Sequence, residues 1–142
     1  MYQSITVVGR LGRDPEMRYM PSGDPVTSFS IATDRHYNDK NGQKMKETTW
    51  FRVSVFGKQA EIANQYLNKG KMVLVEGRLS VDPKTGGPKT FVRQDGGVGA
   101  NFDIVANALR FLSPKDEGSA SGGGSGDMGG GADASGGEDM PF

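Results

Sequence analysis

The sequence predicts an all-β domain, a five-stranded Greek-key barrel interrupted by one helix, with a structureless tail behind it. Three observations predict it. The stretch Glu47 to Gly57, ETTWFRVSVFG, alternates almost without fault, with Phe51, Val53 and Val55 on one face and Trp50, Arg52, Ser54 and Phe56 on the other. Such period-2 alternation marks a strand with two unlike faces. One segment, Lys58 to Lys69 (KQAEIANQYLNK), has helical spacing, its stripe of Ala60, Ala63 and Leu67 flanked by Ile62 and Tyr66. The composition then breaks: the last 30 residues hold 10 of the 22 glycines and five serines, too little apolar surface to offset the entropy of ordering the chain.

The other elements follow in order. Ser4 to Leu11 (SITVVGRL) is β-branched and apolar, the first strand. Arg13 to Gly23 carries Asp-Pro and Pro-Ser-Gly turn chemistry around a short Met-Arg-Tyr-Met segment. Pro25 to Tyr37 is the second strand, with Phe29, Ile31 and Thr33 sharing a face. Asn38 to Lys46 has Asn-Gly at its middle, a hairpin signal that leads into the third strand. After the helix, Gly70 is expected as a left-handed C-terminal cap, with Lys69 in the last turn to favour the dipole.

Lys71 to Ser80 is the fourth strand. Asp82 to Pro88 is a turn across which Lys89 to Arg93 can pair back, and Gln94 to Ala100 is a second glycine-rich loop. Asn101 to Leu112 tolerates helix or strand by spacing; the alternation of Phe102, Ile104 and Ala106 makes it the fifth strand. Closure removes sheet edges, and a five-stranded Greek-key barrel with a helix inserted between strands three and four is the OB-fold. Gly9, Gly57, Gly77 and Gly99, in or beside strands, suit the tight bends of a small barrel. An open α+β sheet with the helix on one face is the alternative. The expected division is an OB-fold domain over 1–112 and a disordered, Gly/Ser-rich acidic tail over 113–142.

A formal net charge of zero conceals a split. Residues 1–112 carry 16 Lys and Arg against 11 Asp and Glu, a net +5, while residues 113–142 carry one Lys against six acids, a net −5. A basic body with an acidic tail points to a polyanionic partner; charges scattered for solubility are the equal alternative. There is no cysteine, hence no disulfide and no cysteine-based metal site or nucleophile. Neither a secretory pattern nor an apolar run of bilayer length is present, so a cytoplasmic protein without membrane contact is expected.

Enzyme readings find little. His36 is the single histidine, in a polar loop with Asp34 and Asp39 about it. That is a weak metal set without carboxylates from elsewhere and a base without a partner. No phosphate-loop, nucleophile-elbow or zinc-protease motif occurs. Gly124 to Gly129 matches a dinucleotide fingerprint by letter, but it follows no strand and opens no helix.

A binding reading finds more. Single-stranded nucleic acid offers splayed bases and a charged backbone, and its binder needs stacking faces beside cations. The second face of the third strand supplies Trp50, Arg52 and Phe56. Arg35, His36 and Tyr37 end the preceding strand, and the hairpins add Lys40, Lys44, Lys46, Lys84 and Lys89, with Phe91 just beyond. Burial under the helix or at a subunit contact is the alternative for an isolated aromatic; here Phe51, Val53 and Val55 already supply the core face. Tyr19, Phe29, Tyr66, Phe102 and Phe111 are assigned to core or interface. The chain end, GGEDMPF, sets two carboxylates before Met140, Pro141 and Phe142, an apolar anchor with a terminal carboxylate that suits an Arg- or Lys-lined pocket.

The stretches VVGRLGRDPEMRYMPSG, TTWFRVSVFGKQAEIANQYLNKG and VEGRL, with the acidic Pro-Phe tip, closely resemble the bacterial single-stranded DNA-binding protein (SSB) family. The resemblance covers nearly the whole chain. It implies an OB-fold homotetramer that wraps single-stranded DNA without catalysis or cofactor. It also implies an acidic tip, here Glu138, Asp139, Met140, Pro141 and Phe142, that docks replication, recombination and repair enzymes. Trp50 and Phe56 match two of the family's base-stacking aromatics, and Tyr37 falls where many members carry a third, usually Trp. The fourth, in the hairpin after VEGRL, is missing; Lys84 lies about there and Phe91 follows on the returning strand. The tip has Met where the family has Ile, a close volume match, and fewer acids. The DNA-contacting set expected is therefore Arg35, Tyr37, Trp50, Arg52, Phe56, Lys84 and Phe91. Two further readings stay open: an accessory OB module of an enzyme such as a primosome component, and an RNA or oligosaccharide binder on the same fold.

Overall fold

The computed structural model describes residues 1–114. In chain order they form β1 (Ile5–Leu11), β2 (Glu16–Tyr19), β3 (Pro25–Asn38), β4 (Lys44–Phe56), α1 (Lys58–Tyr66), β5 (Met72–Ser80), β6 (Thr90–Val92), β7 (Val98–Ala100) and β8 (Phe102–Phe111). The main sheet runs β1-β5-β8-β4-β3-β2, and β3 returns to β1 through Arg10↔Ala32 and Leu11↔Ile31. Five strands thus close into a barrel, with β2 lying outside the ring on β3. All pairings are antiparallel except β4 with β8, which run parallel from Phe51↔Phe102 to Ser54↔Val105. This is the OB-fold expected.

The alternation of β4 decides what fills the barrel. Val53 and Val55 point inward and are fully buried, and Phe51 packs half-buried against them. They meet Val7 and Leu11 from β1, Phe29 and Ile31 from β3, Val73 and Val75 from β5, and Ile104 from β8. Each such aliphatic side chain contributes roughly 1.5–3 kcal/mol by leaving water. Helix α1 covers one end, burying Ala60 and Ala63, and Leu67 just beyond it. Small alanines let the helix backbone approach closely enough for the buried Thr27 hydroxyl to donate to the Ala60 carbonyl at 2.6 Å. Gly57 makes the strand-to-helix corner with φ +71°, a conformation costly for residues with a Cβ. Gly77 sits at the register shift between β5 and β8, where a Cβ would run into the Val105 carbonyl.

Several expectations are corrected. Met-Arg-Tyr-Met is not merely part of a turn: Glu16–Tyr19 pairs with Ser28 to Pro25 of β3. Only Met17 is half-buried there, so no alternation signals the strand. The helix ends at Tyr66, three residues before Lys69, because Leu67 takes an extended conformation and is buried. Gly70 does have positive φ (+88°), but it serves the turn after the helix, its N–H donating to the Leu11 carbonyl at 2.9 Å. The segment after the Asp82–Gly87 turn does not pair back on β5. It pairs onward, β6 with β7, so part of the second glycine-rich loop is strand. Of the aromatics left to core or interface, Phe29 is core; Tyr19, Tyr66, Phe102 and Phe111 are 41–63% exposed. Ser113 and Pro114, counted with the tail, are tied to the barrel: the Met72 N–H donates to the Ser113 hydroxyl at 2.7 Å, and Lys71 donates to the Pro114 carbonyl at 3.2 Å.

Candidate nucleic-acid interface

The even-numbered residues of β4 face out of the barrel. Trp50 is 53% exposed and Phe56 44%, with Arg52 and Ser54 between them. The two rings stand about 20 Å apart along the strand at ~3.4 Å per residue. Across the β3 register Ala32 lies opposite Trp50, Ser30 opposite Arg52 and Ser28 opposite Ser54, all small, while Phe56 stands beside Val26. With little side-chain bulk beside it, the Trp50 face is open to a flat ligand, and Phe56 is about half exposed beside Val26. Trp50 is itself seated, since its ring lies over the α-carbon of Gly12, a residue with no side chain to displace it.

Adjoining hollows run along this face. One, of about 570 Å³, lies between Arg18, Arg52, Phe56 and Lys89. Another joins Arg52 to Lys89, Phe91 and Asn101, and a third lies between Gly12, Arg13 and Trp50. Phe91 flanks the path because its ring lies across the register on Gly99, a strand glycine covered by an aromatic. Arg52 borders the first two of these hollows, between Trp50 and Phe56 on the strand. Its Nε and Nη2 donate to the two carboxylate oxygens of Asp103 at 2.9 and 2.8 Å. The parallel register places these two residues opposite one another.

Trp50, Arg52, Phe56 and Phe91 are thus brought together. Arg35 and Tyr37 lie elsewhere, on the β3–β4 ribbon that projects beyond the barrel. The register is unbroken from Val26↔Phe56 to Asn38↔Lys44, and it pairs Tyr37 with Met45 and Arg35 with Glu47. Period-2 alternation sets these odd-numbered residues on the ribbon face opposite that of Trp50. There the Arg35 guanidinium sits 5.0 Å from the Tyr37 ring centroid and 3.4 Å from Glu47. Asp34, on the Trp50 side, accepts a 2.7 Å bond from the Thr48 hydroxyl. That bond, helped by Lys46 and His36 against some desolvation, holds its carboxyl below the ordinary aspartate range. Lys84 is exposed in the Asp82–Gly87 turn, and Lys89, not Lys84, lines the groove. Glu138 to Phe142 lie outside the described residues.

Sequence reasoning missed Arg13, Arg18 and Gly12 as members of this face. Arg18 arrives on β2, whose strand character has no periodic signal, and Gly12 matters only through what rests on it. Among the described residues no group of three or more His, Cys, Asp or Glu could hold a metal ion, and no helix is long and apolar enough to cross a membrane.

Residues 2–112 match the single-strand binding protein family. The chain belongs to that family. It is named for strand binding rather than for catalysis, which agrees with a face of exposed rings and cations. A protein named single-stranded DNA-binding protein in Neisseria meningitidis serogroup A is 43% identical over 115 residues, covering 81% of this chain and 62% of that one. One of the same name in Helicobacter hepaticus is 35% identical over 118 residues, covering 83% and 65%. This chain therefore spans less than two thirds of those relatives' length. Among solved structures, Plasmodium falciparum SSB in complex with ssDNA superposes with a TM-score of 0.64 at 26% identity, covering 80% of this chain and 96% of that one. A small single-stranded DNA-binding protein from Streptomyces coelicolor gives 0.63 at 28%, covering 78% and 95%.

Proposed function

We propose that this chain binds single-stranded DNA without sequence preference, through the outer face of β4 and its flanks. The observation that carries the reading is the pair of exposed rings, Trp50 and Phe56, on one strand face with Arg52 and Ser54 between them and with Arg13, Arg18 and Lys89 along the groove. Stacking on such rings is sequence-tolerant because every base has a π-face. Arg35 and Tyr37 join from the far face of the ribbon when a strand passes around it, and Lys84 contributes from its turn. The names of the relatives and the ssDNA complex of the Plasmodium protein agree with this choice among nucleic acids.

The wider reading is a protein that protects single strands in replication, recombination and repair, as a homotetramer in the cytoplasm at the nucleoid. Exposed apolar residues such as Val8, Tyr66, Phe102 and Phe111 support self-association. The barrel domain holds DNA, and the tail beyond Pro114 presents the tip Glu138 to Phe142 to partner enzymes. The −5 of that tail against the +5 of the body also lets it compete with DNA for the basic groove.

Trp50 is the single tryptophan, so its fluorescence reports the proposed site directly. Poly(dT) should quench it strongly and in a salt-sensitive manner, and duplex DNA and RNA should not; no quenching by any nucleic acid rejects the reading. Removing Asp139 to Phe142 should abolish partner binding and tighten DNA binding, and no change in either rejects the role given to the tip.

A further inference from the structure

We infer that the middle of the groove is a base subsite and not a phosphate subsite, because Asp103 offsets the charge of Arg52 and holds it as a fixed donor plate in a pair of no net charge. The inference deepens the proposed DNA-binding function and rests on it. Arg52 would by position be the natural phosphate anchor, lying on the strand face between Trp50 and Phe56. Its charge, however, is already met. Two of its N–H groups go to Asp103 at 2.9 and 2.8 Å, the bidentate geometry of a strong carboxylate pair.

The two partners are not equally placed. The Asp103 side chain is 9% exposed while that of Arg52 is 51% exposed. The carboxylate is therefore part of the floor, held by the parallel β4–β8 register, and the guanidinium lies over it facing the groove. A phosphate reaching Arg52 would also feel the carboxylate beneath, so the net attraction is that of a neutral pair. A base has no charge to repel. Arg52 has five N–H groups; the three not given to Asp103 can donate to base carbonyl oxygens or ring nitrogens, and its plane can stack on a base. Fixing the plane from below removes the ordering that a free arginine would require. The cations suited to phosphate are then those along the groove: Arg13, Arg18 and Lys89.

Salt dependence separates the two kinds of contact, because each phosphate neutralised on a single strand adds about −0.7 to the slope of log K against log salt. The decisive variant is the double substitution Arg52→Met with Asp103→Asn, which removes the pair without changing net charge. Its affinity for oligo(dT), read from Trp50 fluorescence, should fall roughly tenfold, the value of one good hydrogen-bonded contact. Its salt slope should equal that of the parent, and on an abasic strand of the same length the two proteins should bind alike. Asp103→Asn alone frees the charge of Arg52 and should steepen the slope by about 0.7. A double variant whose slope is shallower by about 0.7, or one equally weakened on the abasic strand, overturns the inference. If Asp103→Asn does not fold, the double variant decides alone, since it leaves no charge uncompensated. A parent protein that binds no oligo(dT) would instead reject the function proposed above.

Discussion

The Trp50 ring rests on the α-carbon of Gly12: a Cβ built there would stand 2.6 Å from ring Cζ3 and 2.7 Å from Cη2. The contact joins the end of β1 to the outer face of β4. It also explains how a half-exposed ring can be held in place. Gly12→Ala should push the ring from its seat while keeping the Gly12 N–H bond to the Ser30 carbonyl, 3.2 Å long. DNA binding should weaken and the Trp50 emission should shift, with little change in melting temperature. A melting temperature lowered by many degrees with binding intact would show the glycine to be structural instead.

Trp50→Ala and Phe56→Ala should each weaken binding to single-stranded DNA by roughly 1–3 kcal/mol per contacted base. Both rings are about half exposed, and the inward face of β4 is filled without them. Urea midpoints should therefore stay near that of the parent. Titration with oligo(dT), for Phe56→Ala by fluorescence and for Trp50→Ala by calorimetry, measures the first; collapse of stability with binding retained would mean a core face had been mistaken for a binding face.

Gly77→Ala should do the reverse. The new Cβ meets the Val105 backbone carbonyl at the β5–β8 register shift, and backbone cannot step aside as a side chain can. Overpacking of this kind costs about 1–3 kcal/mol, read as a melting temperature lower by several degrees. DNA affinity below the transition should be unchanged, because Gly77 borders none of the groove hollows.

Asp34 gives a pH prediction of definite sign. Its folded-state carboxyl titrates below the ordinary aspartate value, first because Thr48 donates to it and then because Lys46 is near. The resulting stabilisation is complete above the unfolded-state value and is lost as pH falls through the folded one. Thr48→Ala should raise the Asp34 pKa toward the ordinary value and shrink the acid-side loss of stability. Carbon-detected NMR titration of the Asp34 carboxyl tests this directly, and an unmoved midpoint would refute it.

Much of the fold was legible because its signals are local. The alternation of β4, the Asn-Gly hairpin and the stripe of α1 each need only neighbouring residues, and all three recur in the structure. The errors lie where local signals are weak. Short β2 buries too little to alternate, and the end of α1 was set by the burial of Leu67 in an extended conformation, not by the glycine that followed. The β6–β7 pairing was missed because β7, three residues in a glycine-rich stretch, reads as loop, which left Lys89 to Arg93 to pair back across the turn before it.

For the site, the sequence by itself determined the chemistry of one strand: two rings and a guanidinium at alternate positions, a consequence of the two-residue repeat. Only the tertiary structure decided what each of them meets. Asp103 lies 51 residues from Arg52 and reaches it because barrel closure sets β8 parallel beside β4. Gly12 reaches Trp50 because β1 closes onto β3, and Tyr37 falls on the opposite face of the ribbon because the hairpin register makes it so. These relations depend on closure and register, which join residues far apart in the chain and leave no periodic trace in it.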